Sequence, residues 1–298
     1  MQASRWNMRT ATRAIQDPRH YQIATLSLLL AYGLLFLDFD MDAARATLIL
    51  ATALSTQALC SRISGLPRFD PKSAFISGLS LCLLLRTNSP EIALAAAAAA
   101  VASKFIFRWH GKHIFNPTNF GLVVAIGLTG EAWVSPGQWG SAAFFAFLMA
   151  CIGGLVIRRA ARSDVTYAFV SAYVAILAAR ALWLGDPIWI PVHQLQNGAF
   201  LLFAFFMISD PKTTPDSRPG RILFAILVAL GAGFVQFGLF RTNGLLWSLA
   251  LFALGVPLID RILPGGRYHW NRTGFSPRPL NDGASNEKEF GHRKPLPV

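Results

Sequence analysis

Apolar blocks as long as a bilayer is thick recur through this chain, and that recurrence constrains its fold more than any other feature. A hydrocarbon core takes about 20 consecutive apolar residues of helix, with roughly 17 to 25 tolerated. Long blocks run over 21–39, 43–60, 91–107, 142–157, 165–184, 221–240 and 244–263, and three shorter ones over 73–85, 119–130 and 198–209. Together they predict ten crossings. A chain of 298 residues would otherwise suggest about two soluble domains. Only 14% of the residues are charged, against roughly 25% in ordinary soluble domains, which is too little to cover two water-facing shells. A hydrophobic content of 53% excludes disorder, and three cysteines (Cys60, Cys82, Cys151) exclude a disulfide scaffold. No alternating pattern recurs at barrel spacing, so the spans are read as helices.

The net charge of +12 reads as an orientation signal. All of the 27 basic residues except Arg45, Arg86, Arg180 and Arg241 fall in the amino-terminal arm, in every second connection or in the carboxyl tail. The intervening connections carry Asp38, Asp40, Asp42, Glu91, Glu131 and Asp186. Basic residues mark the cytoplasmic side, so both termini are expected there, in a bacterial-type inner membrane. The first apolar block lacks a small-residue cleavage site and is read as an anchored helix. Trp133, Trp139, Trp183, Trp189 and Trp247 fall near predicted outer span ends, as interfacial anchors do. Nucleic acid is not an expected partner, since no soluble domain or recognition motif carries the charge. The lipid bilayer is.

The spans also suggest an inverted duplication. The third opens with Ser77-Gly78 and ends at Thr87-Asn88-Ser89-Pro90; the eighth opens with Asn197-Gly198 and ends at Ser209-Asp210-Pro211. A long block follows each, leading to Thr118-Asn119-Phe120-Gly121 in one half and Thr242-Asn243-Gly244 in the other. A five-span repeat must invert its second copy, so the matched polar breaks fall on opposite faces. This gives an arm over 1–20, a first five-helix repeat over 21–140, a second over 141–264 and a disordered cytoplasmic tail over 265–298. Short spans are expected in the middle of the bundle, where half-helix ends point their dipoles at a ligand. The inner face would present 112–121 with 209–214; the outer face, 86–90 with 241–244.

Lys112-His113-Ile114-Phe115-Asn116-Pro117-Thr118-Asn119-Phe120-Gly121 and Phe206-Met207-Ile208-Ser209-Asp210-Pro211-Lys212-Thr213-Thr214-Pro215 are the strongest local signatures. With Ser77-Gly78-Leu79 before them and Pro257-Leu258-Ile259-Asp260 after, they resemble the RnfD/NqrB family of membrane subunits in ion-pumping, flavin-dependent electron-transport complexes. The resemblance covers roughly 73–260 and is similar to stand-alone RnfD-like proteins, some associated with enediyne biosynthesis. It implies an all-α polytopic membrane protein of ten helices in two inverted five-helix repeats with short or broken helices, like urea and ammonium channels. It also implies other redox subunits or proteins as partners, and a flavin.

In the family FMN is esterified to the threonine of a Ser-Gly-Ala-Thr motif, and no such motif occurs in this sequence. The flavin, riboflavin or FMN, is therefore expected to be non-covalent and held at the inner loops. Asn116 and Asn119 offer hydrogen-bonding groups of both polarities, and Phe115 and Phe120 offer stacking faces. Lys112 or Lys212 would set positive charge near the ring or hold a phosphate, and Asp210 would accept from a ribityl hydroxyl or relay a proton. Thr118 and Thr213 complete the candidate set.

Plainer readings stand beside these. Asn-Pro and Asp-Pro are ordinary turn and helix-start signals, and Asp210 would then cap the ninth helix. The basic residues on the inner side would act as topology determinants alone. His110 and His113 lack further ligands at metal spacing, so no metal site is assigned. Cys82 reads as small apolar packing, Ala93 to Ala100 as close helix packing, and Arg180 as a snorkelling residue. No acidic residue lies mid-span, which argues against autonomous pumping. The leading reading is an electron-transfer subunit. A small-solute channel on the same fold and a membrane scaffold for a biosynthetic enzyme are the alternatives, because fold alone does not set function.

Overall fold

In a computed structural model, residues 17–37, 39–65, 69–135, 139 and 162–268 are described. The expected arm over 1–16, the sixth span at 142–157 and the tail beyond 268 lie outside them.

Local sequence explains where the helices start. Asp17, Ser89, Asn116 and Ser217 each accept a hydrogen bond from a backbone amide of the first turn, with proline at one of the first two helical positions. Proline fits there because its missing N–H has no intrahelical partner in any case. The helices are α1 (Pro18–Phe36), α2 (Ala43–Ile63), α3 (Pro71–Leu84), α4 (Pro90–Ile106) and α5 (Pro117–Thr129). After the gap come α6 (Ser163–Leu184), α7 (Trp189–Leu195), α8 (Gly198–Leu202), α9 (Arg218–Gly233), α10 (Gly244–Ala253) and α11 (Val256–Ile262). α8 and α9 run on as π-turns over Phe203–Met207 and Phe234–Gly238.

Two short ribbons complete the described elements. β1 (Leu85–Thr87) pairs antiparallel with β4 (Ala132–Val134), Arg86 opposite Trp133; β2 (Arg108–Trp109) pairs with β3 (Lys112–His113), Trp109 opposite Lys112. The chain is thus a helical membrane protein with no barrel among the described residues. Three helices are long and apolar enough to cross a membrane: Ala43–Ile63, Ser163–Leu184 and Arg218–Gly238, of mean hydropathy 1.2, 1.6 and 1.9. The α10–α11 pair makes a fourth if its 52° bend lies within one span.

Packing joins α4 to α2 and α5, and α9 to α6 and α10, while α5 packs on α10. The core is the shared interior of these helices. Ala93, Ala96, Ala97 and Ala100 are buried, as close helix approach requires. Cys82 is fully buried with its thiol 3.8 Å from the Ala46 carbonyl, a packing role.

Several expectations from charge and aromatic placement are corrected here. Trp139, read as an interfacial anchor, is 2% exposed and packs edge-on to Phe39 at 4.9 Å. It fills the space that the missing side chain of Gly198 leaves. Trp183 and Trp189 are exposed at 87% and 68% and do sit as anchors would. Lys104, Arg162 and Arg221, which read as loop charges in the sequence, are buried. Arg180 does not extend free: it pairs with Asp186 at 3.3 Å and covers the Phe237 ring at 4.5 Å. Arg86 is enclosed, donating to the Cys82 and Leu85 carbonyls at 2.9 and 2.6 Å with its guanidinium over Phe39.

Candidate functional site

The two signature segments meet. Asn116 caps α5, its Oδ1 accepting from the Asn119 amide at 3.0 Å. Its Nδ2 donates across the bundle to the Met207 carbonyl at 3.3 Å and to Asp210 Oδ2 at 3.4 Å. Asp210 closes its own turn, accepting from the Lys212 amide at 3.0 Å on Oδ1, while its backbone carbonyl accepts from Thr213 Oγ1 at 3.3 Å. It does not cap the next helix; Ser217 does that, seven residues on. The plain reading of Asn116 as a helix cap and the reading of it as a partner of the Asp-Pro loop are therefore both realised in one side chain.

Each remaining candidate has a defined place. Asn119 Nδ2 donates to the Leu246 carbonyl at 3.1 Å, tying α5 to α10. Phe115 packs edge-on to Phe107 at 5.5 Å and against Phe120 at 5.1 Å, so its ring is already flanked by aromatic neighbours. Thr118 and Thr213 are buried. Lys112 is drawn away from Asp210: its ammonium donates to Asp260 at 2.6 Å and Asp216 at 3.1 Å. It lines a groove of ≈ 410 Å³ with Trp109, His110 and Arg261.

Around this junction are groups whose importance the spans conceal. Lys104 is 3% exposed and donates to Gln57 Oε1 at 2.7 Å and Ser73 Oγ at 3.2 Å, both neutral acceptors. Arg162, 5% exposed, has its guanidinium over the Tyr268 ring at 5.0 Å. Next to it Arg221 forks onto Asp164, with Nε at 2.8 Å from Oδ2. In the sequence both arginines read only as positive charge between spans; a basic residue beside the serine of a predicted helix start is the one available hint for Arg162.

The electrostatics are those of a buried cationic pocket with one carboxylate. Asp210 keeps some exposed surface but is surrounded by protein at longer range, and this burial pushes its carboxyl above the usual range against the pull of the Lys212 amide, Lys212, Lys104 and Arg162. Burial lowers Lys212 and brings Arg162 down to about 10, helped by the neighbouring Arg221 charge. It also lowers His113 to about 3, with Arg108, Lys104 and Lys212 adding to the effect.

Four buried side chains here keep polar atoms without a hydrogen-bond partner among the described residues: His113 Nδ1, Asn119 Oδ1, Thr214 Oγ1, and Nε and Nη2 of Arg162. Such atoms are uncommon in folded proteins and each calls for an explanation. They comprise donors, an acceptor and groups able to be either, on the same segments that converge at Asn116 and Asp210. A ligand edge bearing both polarities suits that set.

Comparison with known proteins agrees with this pairing of segments. The sequence profile of the NQR2, RnfD, RnfE family matches residues 127–268. Two bacterial relatives share its sequence over a comparable stretch. One, the RnfD subunit of the ion-translocating oxidoreductase complex of Alcanivorax borkumensis, is 31% identical over 128 residues, 41% of this chain and 35% of its own length. The protein of the same name from Cronobacter sakazakii is 31% identical over 158 residues, 50% of this chain and 41% of its own. This chain is RnfD-like. The Erwinia tasmaniensis relative, 30% identical over 151 residues, covers 49% of this RnfD-like chain and 37% of its own length. The chain thus spans well under half the length of the curated relatives it matches, and the family profile includes the Asp210 segment but begins after the Asn116 segment.

Proposed function

We propose that this protein is an integral membrane electron-transfer subunit of RnfD type that binds a flavin non-covalently where the Asn116 and Asp210 segments meet. The observation that carries the reading is the Asn116 to Asp210 contact, which gathers unpartnered buried polar atoms from both signature segments into one place. When bound, a flavin supplies one- and two-electron transfer. The chain's own residues would bind and orient it. Asn119 Oδ1 and His113 Nδ1 would meet the polar edge of the ring, and Thr214 Oγ1 a ribityl hydroxyl. The Asp210 carboxyl, raised by burial, suits a group that holds or passes a proton near neutral pH. The excess of buried positive charge would favour an anionic ligand.

In the same reading the chain has ten spans in two inverted repeats, with both ends on the cytoplasmic side of an inner membrane. The recurrence of packing supports this: the long helix of each half, α4 or α9, packs on a long helix before it and on the short helix after it. Its electrons would pass to and from other redox proteins, as the names of its relatives suggest for a subunit of a larger complex.

Absorbance and fluorescence of the detergent-purified protein test this, followed by in-gel fluorescence after denaturation. A flavin spectrum that vanishes from the gel, with lowered occupancy in Asn116→Ala and Asp210→Ala, is expected. Full occupancy in both variants would remove these residues from the site. A colourless protein from flavin-replete cells would favour a solute channel.

A further inference from the structure

Arg162 carries an unused fork. The guanidinium lies over the Tyr268 ring, which fixes its plane, and the two atoms left without partners, Nε and Nη2, belong to one edge of that plane. This is the edge that grips a carboxylate or phosphate through two parallel N–H···O bonds. Arg221 shows the edge in use, with Nε and Nη2 both donating to Asp164. Arg162 is 5% exposed, so water does not serve its edge as it would at a surface. A buried cation in this condition is costly unless a counter-charge arrives.

No resident carboxylate supplies that charge. Asp210 is near enough to feel Arg162, Lys212 and Lys104, yet its oxygens accept from the Lys212 amide and Asn116. Among the described residues no carboxylate lies within 4.0 Å of Arg162, Lys212 or Lys104. Three cations therefore face one shared carboxyl, beside the unpartnered hydroxyl of Thr214. A dianion with several acceptor oxygens matches both the charge excess and the free donors. A neutral ligand tail would leave the fork as it is.

We propose that Arg162, with Lys212 and Thr214, receives a phosphate monoester, so that the flavin of this site is FMN and not riboflavin. The inference rests on the flavin reading above and selects between its two ligands. Arg162 is then a ligand-binding residue contributed by the start of α6, in a part of the chain that neither signature segment includes.

The test uses the full-length protein in detergent, stripped of endogenous flavin and titrated with FMN and with riboflavin by fluorescence quenching. FMN is expected to bind at least tenfold more tightly, since one charge-assisted pair accounts for about that factor. Arg162→Gln is expected to abolish the preference and leave riboflavin affinity unchanged, which also shows that the variant folds. Arg162→Lys, keeping charge but losing the fork, is expected to fall between. Without ligand, Arg162→Gln is expected to melt higher than the parent, because a buried unpaired cation is gone; a purely structural arginine would lower it. Equal affinities for the two flavins would overturn the phosphate assignment while leaving the flavin site intact. A preference that survives in Arg162→Gln would overturn the role of Arg162. Binding of neither flavin would overturn both readings. If phosphatidylglycerol micelles protect the parent but not Arg162→Gln, and FMN does neither, the phosphate is a lipid's and the proposal fails.

Discussion

The amide nitrogen of Asn116 sits 3.3 Å from the Met207 carbonyl and 3.4 Å from Asp210 Oδ2 while its oxygen caps α5. One side chain thus starts a helix and fastens it to a loop 94 residues away. Removing it loses both. Asn116→Ala is expected to lower stability by about 1 to 2 kcal/mol for the cap, with roughly another 1 kcal/mol for the buried hydrogen bonds. Asn116→Asp keeps the cap but sets a second carboxylate beside Asp210. Its melting temperature should fall below the parent's at pH 8 and recover toward pH 5, where one proton can be shared. A melt of equal height at both pH values would place the two side chains apart.

His113 gives the protein an acid-sensitive element. Burial and three nearby cations hold its imidazole at about 3, so the folded protein keeps it neutral where an unfolded chain, at about 6.5, would protonate it. Between those values the unfolded state binds more protons, so stability rises with pH and is fully present above about 6.5. Lowering the pH from 7 should therefore cost up to about 1.4 kcal/mol per unit below that value. His113→Gln should flatten this dependence. Parallel slopes for parent and variant between pH 5 and 7 would assign the acid sensitivity elsewhere.

Lys112 has a structural task that its sequence context hides. Its ammonium joins Asp216, in the loop before α9, to Asp260 in α11, with all three side chains at most 20% exposed. Lys112→Met would leave two carboxylates close together without their shared cation, at a cost of about 3 kcal/mol. Adding Asp260→Asn to that variant should restore part of the loss, and the coupling in the double-mutant cycle should exceed about 1 kcal/mol. Flavin occupancy should change little, since the ammonium is held away from Asp210. A large loss of flavin with unchanged stability would return Lys112 to the ligand site.

The helical membrane class is legible in the sequence because bilayer-length apolar blocks have few other uses, and the order of Asn116 and Asp210 within those blocks is enough to link the two loops. Helix starts are legible too, since Asn-Pro and Ser-Pro combine a side-chain cap with a ring that fits only the first turn. What stays hidden is the destination of each charge. Lys104, Arg162 and Lys112 look alike as positive residues between spans, yet one meets neutral acceptors, one keeps an open edge and one bridges two carboxylates. Those fates depend on partners 47 to 148 residues distant for the two lysines, which no local pattern encodes. Trp139 departs from its expected place for the same reason: its position at a span end says nothing of the space beside Gly198 that receives it.

Gly121 and Gly244 carry the closest helix approaches in the two halves, and they follow a Thr-Asn pair in each. A Cβ on Gly121 would lie 2.6 Å from the Ala96 carbonyl oxygen of α4, and one on Gly244 would lie 2.7 Å from the Ala232 carbonyl oxygen of α9. In both, the obstacle is the backbone of the long helix that precedes the glycine, which cannot step aside as a side-chain tip would. Alanine inside an exposed helix stabilises by about 1 kcal/mol over glycine. Here the sign should reverse, because the short helix must be pushed off its neighbour and the tight interface opened. Gly121→Ala and Gly244→Ala are each expected to lower the melting temperature by several degrees, the first also weakening the Asn119 bond to Leu246. Gly111→Ala, at an exposed turn where a Cβ meets nothing within 4 Å but φ is +79°, controls for the cost of backbone strain alone. If both helix variants match or exceed the parent in stability, the close approach and the matched role of the two glycines are refuted together.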